Sequence, residues 1–439
     1  MRLAYISADP GIPVFGSKGA SVHVQEIIRC WRAMGWEVTV YATRIGDQVP
    51  ADLTDLEVVH VPVPAVPAVA AQVSEDDRTA RVIAREVAQQ HAAQAIAAQV
   101  IAAGVDAVYE RYSLFSTALA EVTETLSVPG FLEVNAPLID EQRTHRDLVD
   151  QQSAYAALDR QVGAATRIAC VSEPVAQWVR TTAGPGSGLV SAQLAERVVV
   201  TPNGVNVQRI GPSLDSGIGG PDPQVTGTGL QVTGPGPLTT SPDSHADSPS
   251  AERVPTVVFV GTLKPWHGVE HLLQARALAT RAWRLRLVGD GPQRESLTDQ
   301  ARQLGIEVEF TGAVAPDRIP DHLMDCAVAV APYPRTEQSM DQYFSPLKIY
   351  EYCAAALPVV ASRVGQVPAI IDDGVTGLLV APSDPADLAR AVDELVGDPG
   401  RRRAMGRAAR DMAVRERSWE TVLAAILADT ELAVTGGRP

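Results

Sequence analysis

Two doubly wound α/β domains, facing each other across a cleft, are what this sequence predicts. Three observations carry that expectation. Short β-branched apolar runs alternate with longer helical patterns from end to end, as in βαβ units. At 439 residues the chain is long enough for two or three domains, and 46% hydrophobic residues supply full cores. A stretch rich in Gly, Pro, Ser, Thr and Asp, from about Gly211 to Glu252, separates two such alternating halves.

In the first half the apolar runs begin at Leu3, Val38, Leu56, Ala107, Phe131, Ile168 and Val198. In the second they begin at Val257, Leu285, Val308, Val328, Val359 and Leu378. Runs of this kind suit parallel strands covered by helices on both faces. Between Glu75 and Ala103 an Ala-rich composition predicts one long helix. The 211–252 stretch holds no Lys or Arg and repeats Gln-Val-Thr-Gly at 224 and 231. Too polar to offset its ordering entropy, it reads as a disordered insertion. The limits that follow are a first domain at 1–205, a linker with the insertion at 206–254, a second domain at 255–410, and a C-terminal helix within 411–439.

The formal net charge of −15 argues against a general affinity for nucleic acid or anionic lipid. Cys30, Cys170, Cys326 and Cys353 are far apart and lack metal-ligand or redox spacing, which predicts reduced thiols and a cytoplasmic protein. Met1–Ser7 reads as a strand entering a glycine loop, not as a signal peptide. No apolar run approaches the roughly 18 residues of a membrane span. Peripheral contact with the inner face of a membrane stays open.

The most informative stretch is Ser345-Pro346-Leu347-Lys348, with Glu351 about one turn beyond Leu347. Ser345 suits a helix N-cap and Pro346 the first helical position. Free amides, the positive end of the dipole and Lys348 would seat a phosphate, and Glu351 could accept two hydroxyls. The plainer alternative is a capped surface helix with a Lys348–Glu351 pair. In the loop Gly261–Gly268, Lys264 and His267 are the basic groups, and Lys264 is a candidate diphosphate partner. Gly289-Asp290-Gly291 closes a strand with a tight turn, either against a ligand or simply as a turn. Gly16 and Gly19, flanking Lys18, allow close backbone approach at the first helix start. Lys18, and Glu110, Arg111 and Asn135 at strand ends of the first half, are candidates for a hydroxyl-rich acceptor, although Arg111 could instead pair with Glu133. No Asp-x-Asp and no His/Cys/carboxylate cluster has metal-ligand spacing, so no metal site is expected.

Together these stretches resemble a family 4 glycosyltransferase of the GT-B fold, over nearly the whole chain outside the insertion. The pieces that carry the likeness are Val200–Asn206, the Gly261–Gly268 loop, Gly289-Asp290-Gly291-Pro292, Phe344–Lys348 through Glu351 to Pro358–Ser362, and Ser418-Trp419-Glu420. The resemblance implies that Glu351 holds the donor's ribose hydroxyls. Lys264, Lys348 and amides near Ser345–Leu347 would hold the diphosphate. It implies transfer from a UDP- or GDP-sugar with retention, without a metal or other cofactor, to a sugar, lipid-linked or small-molecule acceptor in cell-envelope polysaccharide, glycolipid or glycoside synthesis. In this family the last helix crosses back to the first domain.

Three positions depart from the family pattern. Eight residues before Glu351, where a second glutamate is common, stands Tyr343, and Asp341 is the nearest carboxylate for the transferred sugar. His267 takes the place of a loop lysine beside Gly268, and Ala356 that of a glycine, a change read as one of packing. Lys264, His267, Glu351 and Asp341 are therefore the catalytic candidates. Rival readings are a non-catalytic sugar-nucleotide-binding regulator, favoured by Tyr343 and His267, and a sugar-nucleotide epimerase of the same fold.

Overall fold

The computed structural model describes residues 1–65, 75–183, 186–217, 254–335 and 343–434. Most of the segment read as an insertion, residues 218–252, lies outside the described residues, as does Asp341.

The first lobe runs β1 (Arg2–Ser7), α1 (Gly19–Ala33), β2 (Glu37–Ala42), β3 (Glu57–His60), α2 (Glu75–Ala103) and β4 (Ala107–Arg111). It continues α3 (Ala118–Leu126), β5 (Gly130–Val134), α4 (Leu138–His145), α5 (Gln151–Ala164), β6 (Arg167–Cys170), α6 (Glu173–Thr182), α7 (Ser191–Arg197) and β7 (Val198–Val200). The second lobe runs β8 (Thr256–Val260), α8 (Val269–Leu278), β9 (Arg284–Val288), α9 (Arg294–Gln303), β10 (Val308–Gly312), α10 (Ile319–Leu323) and β11 (Val328–Ala331). Then come α11 (Leu347–Ala354), β12 (Val359–Ser362), α12 (Val367–Ile370), β13 (Gly377–Val380), α13 (Pro385–Gly397), α14 (Pro399–Glu416) and α15 (Trp419–Leu427). Each strand begins within one residue of the apolar run read for it, and the Ala-rich helix is present.

Among the described residues the strands form two parallel sheets, ordered β3-β2-β1-β4-β5-β6-β7 and β10-β9-β8-β11-β12-β13. In register, Leu3 lies opposite both Val38 and Ala107, and Val257 opposite both Leu285 and Val328. In each sheet the order reverses beside the first strand of the lobe, between β1 and β4 and between β8 and β11. At such switch points the loops part and leave a crevice at the strand C-termini. Helices cover both faces of the sheets, and β4, β5, β8, β11 and β12 are buried at every position, Glu110, Arg111 and Glu133 included.

The chain crosses between lobes twice, side by side. Val205 N donates to Arg417 O at 2.7 Å, and Val205 pairs with Ser418. Past Ser418, which caps α15 by accepting from Thr421 N, the helix buries Trp419, Val422, Leu423, Ile426 and Leu427 in the first lobe's core. Gly204 sits under Trp419, where a Cβ would come within 2.8 Å of the indole.

The insertion boundary moves. Residues 213–217, read as part of a disordered stretch, are pinned to the second lobe. Arg402 on α14 donates to both oxygens of Asp215 at 2.7 and 2.8 Å, Ser213 N donates to Ala355 O and Leu214 N to Met324 O. Arg407 bonds Ser216 O. A single carboxylate at Asp215, opposite a buried arginine nearly two hundred residues away, has no local signature.

Candidate functional site

Lys348, in the first turn of α11, reaches into the β8/β11 switch point. Its Nζ lies 4.1 Å from the ring centroid of Phe259, the fourth residue of β8, and 5.6 Å from that of Tyr333, just past β11. Gly261, the residue just past β8, with φ 149, leaves room for it: a Cβ there would stand 2.7 Å from Nζ. Nζ is shut off from solvent and has no hydrogen-bond partner among the described residues, so the Lys348–Glu351 pair does not form. Burial pulls the ammonium down to about 7, with the Glu351 carboxylate opposing. An ammonium is a threefold donor, and one left buried without a partner is costly unless a ligand completes it.

The helix start is open, though not as the sequence suggests. Pro346, not Ser345, occupies the N-cap, and no side chain caps α11. The Ser345 hydroxyl is engaged elsewhere: it accepts from Asn203 N at 3.0 Å and lies 3.1 Å from the Tyr350 hydroxyl. Asn203 Nδ2 donates to Ser345 O at 2.7 Å, which ties the interlobe linker to this turn. The first amides of α11 thus keep their dipole-end charge. Leu347 packs into the core of the first lobe, 3.1 Å from where a Cβ on Gly19 would stand, so the helix start faces the crevice and not bulk water.

One turn on, Glu351 is half-buried. Burial pushes its carboxyl up, Arg209 and Lys348 pull it down, and Glu26 adds to the push. Arg209, on the linker, forms an ion pair with Glu26 of α1 at 3.0 Å, and Glu26 also accepts from Arg29 at 2.9 Å and Asn206 at 3.2 Å.

The loop after β8 carries the other basic groups. Lys264 Nζ stands 4.4 Å over the exposed Trp266 ring. His267 Nδ1 lies 2.5 Å from Thr262 O, and its ring is flanked by Phe259 and Tyr333. Burial and the two lysines hold this imidazole down at about 3. Gly268, with φ 66, turns the chain into α8 against the Pro332 carbonyl, where a Cβ would not fit. The Gly289-Asp290-Gly291 turn packs on this loop: Asp290 O accepts from Leu263 N at 3.0 Å and Asp290 Oδ1 from Gly291 N at 2.7 Å.

In the first lobe the expectations need correction. Glu110 is fully buried, and its Oε2 accepts from Leu119 N at 2.7 Å. It serves the start of α3 and is not presented to an acceptor. Arg111 pairs with Glu133 at 2.9 Å, both nearly inaccessible, which is the structural reading of that residue. Glu133 also takes the Tyr109 hydroxyl at 2.6 Å and the Asn135 amide. Although burial alone would raise it, His23 and Arg111 hold the Glu133 carboxyl down at about 2. Asn135 is half-buried at the end of this network, and Lys18 is exposed just before α1. Gly16 receives Gln25 Nε2 on its carbonyl at 3.1 Å, and a Cβ would press on Ser21.

His23, on α1, joins the buried Glu133 network to the interlobe linker. Its Nε2 sits 2.8 Å from Glu133 Oε2, off the line of a good hydrogen bond, and its Nδ1 lies 2.8 Å from Asn203 Oδ1. Ser21 through Ile28 are all buried, the polar Ser21, His23, Gln25 and Glu26 among them, and no local sequence pattern announces that burial. Among the described residues no three His, Cys, Asp or Glu side chains converge to hold a metal ion.

Residues 17–209 match the model described as glycosyltransferase family 4, and residues 254–398 the one described as glycosyl transferases group 1. The chain belongs to glycosyltransferase family 4. This family 4 protein is 36% identical over 180 residues to the GDP-mannose-dependent alpha-(1-6)-phosphatidylinositol monomannoside mannosyltransferase of Mycobacterium tuberculosis, a match covering 40% of this chain and 46% of that one. It is 35% identical over 175 residues to the D-inositol 3-phosphate glycosyltransferase of Corynebacterium kroppenstedtii, covering 37% of each chain. The matches thus span less than half the length of these relatives. Among solved structures, HepE of Anabaena in complex with UDP superposes with a TM-score of 0.62 at 17% identity, covering 96% of this chain and 97% of that chain. Sucrose-phosphate synthase of Thermosynechococcus elongatus gives 0.63 at 18%, with 96% of each chain covered. At such identities the likeness is one of fold, and that fold is GT-B.

Proposed function

We propose that this family 4 protein transfers a sugar from a nucleoside diphosphate sugar to a hydroxyl of a sugar, lipid-linked or small-molecule acceptor, with retention of configuration and without a protein-bound metal. The observation that carries the proposal is the orphaned Lys348 ammonium beside Gly261, at an uncapped helix start that faces the other lobe. A diphosphate seated there would complete the three unused hydrogens of Nζ and meet the amides of α11. Lys264 extends the positive charge along one wall, so the leaving group's charge is matched by fixed cations. Glu351, held half-buried one turn on, suits the two ribose hydroxyls as a bidentate acceptor.

Glu110 and Arg111 are engaged within the first lobe, which leaves Asn135 and Lys18 as the candidate acceptor contacts from that side. The named activities of the relatives, mannosyl and inositol phosphate glycosyl transfer, favour GDP-mannose as first donor to try and a polyol or glycolipid acceptor of the cell envelope. Nucleoside diphosphate release by the purified full-length chain, scored across GDP- and UDP-sugars with phosphorylated and lipid-linked polyols, tests the activity. Release insensitive to EDTA, with an α-linked product from an α-linked donor, is the expected result. Donor binding without turnover across the panel would instead support the regulatory reading suggested by Tyr343 and His267.

A further inference from the structure

His267 stands where the family pattern has a lysine, and its surroundings define what it can do there. The groups that face it come from four elements: Lys264 and Trp266 on its own loop, Phe259 on β8, Tyr333 after β11, and Lys348 on α11, with Glu351 a turn further. A backbone carbonyl can only accept, so the 2.5 Å contact with Thr262 O places the ring hydrogen on Nδ1. In the neutral ring Nε2 is then a bare lone pair. The charges acting on the ring are those of two cations, Lys348 and Lys264. A lone pair cannot meet a phosphate oxygen, because both are acceptors. An imidazolium can, once a diphosphate offsets the two lysines.

Resting on the donor reading above, we propose that the diphosphate of the donor binds together with one proton from solvent, taken up on His267 Nε2. The proton adds to the lone pair, no bond of the donor breaks, and His267 becomes a second N–H donor to the diphosphate, restoring the charge that a lysine would carry permanently. The same proton is returned to solvent when the nucleotide leaves. Burial and the lysines, which keep the empty site's imidazole neutral at about 3, ensure that it is unprotonated before the donor arrives. Lys348, held at about 7, is already charged at pH 6 and adds little to the count there.

Calorimetric titration of GDP-mannose and of UDP-glucose into the full-length protein at pH 6, in buffers of different ionisation enthalpy, counts the protons. A diphosphate diester has no group of its own titrating near that pH. The expected result is an uptake near one proton per nucleotide sugar bound, with affinity falling about tenfold per pH unit between pH 5 and 6.5. In His267→Lys both the uptake and the slope should vanish while binding persists, and in His267→Gln binding should weaken with no uptake. Binding with no proton uptake in the unaltered protein, or uptake that survives in both variants, overturns the inference and leaves the donor site standing. Failure of both nucleotide sugars to bind the unaltered protein overturns the donor reading itself.

Discussion

In the proposed donor site, the unpartnered Lys348 beside Glu351 and Arg209 carries a cost to the empty protein. A buried ammonium with no partner destabilises the fold, so Lys348→Met should raise the stability of the ligand-free protein by about 1–3 kcal/mol while abolishing donor binding. The pH dependence gives the sign. Lys348 sits near 7 when folded, below its ordinary value in the unfolded chain, so between about pH 7 and 10 the unfolded state binds more protons. The unaltered protein therefore gains stability from this residue as pH rises through that window, and the advantage of Lys348→Met shrinks. Denaturant melts of both proteins at several pH values read this out; an advantage independent of pH would contradict it. Glu351→Ala should weaken nucleotide binding by about 1–3 kcal/mol, the scale of hydrogen bonds to a charged group. An unchanged dissociation constant in a nucleotide titration would remove Glu351 from the ribose.

Strands and helices were the easiest features to read from the sequence, because each is set by a local period. Runs such as Val257–Val260 are short, β-branched and apolar at successive positions, as suits a strand covered on both faces. Caps and bends were less legible. Ser345 carries the N-cap residue type, yet its hydroxyl is drawn off by Asn203, a residue 142 positions away. The change of a usual glycine to Ala356, read as a packing difference, is one of backbone: the residue follows α11 with φ 54, left-handed. That conformation costs a non-glycine residue roughly 1–2 kcal/mol, partly offset by the greater unfolded-state freedom of glycine. Ala356→Gly should thus stabilise the protein by up to about 1 kcal/mol, seen as a higher denaturant midpoint at unchanged slope. A lower midpoint would show that the buried methyl matters more than the strain.

At the scale of the whole molecule, two sheets with their switch points turned toward one crevice explain why the residues proposed to meet a ligand come from both halves. The alternation of elements made that architecture legible; the polar bridges that fasten the linker to the lobes were not. His23–Asn203, Asn206–Glu26 and Arg402–Asp215 each connect positions 180 or more apart, and no window of sequence shows such a partner. The same geometry predicts a dispensable segment. The chain leaves the described structure past Gly217 and returns at Val254, and its anchors sit at the N-terminal ends of the second sheet's strands: Leu214 N bonds Met324 O ahead of β11, and Pro255 leads into β8. Those ends lie opposite the crevice. Removing residues 221–250 should change turnover less than about twofold, since closure entropy varies slowly with loop length; a large loss in initial rate would place a functional contact within them. The most direct measurement is a crystal structure of the full chain soaked with GDP-mannose or UDP-glucose. The diphosphate should lie within hydrogen-bond reach of Lys348 Nζ and the first amides of α11, with the ribose hydroxyls on Glu351. A nucleotide bound elsewhere, with Lys348 still unpartnered against Phe259, would contradict this assignment of the site.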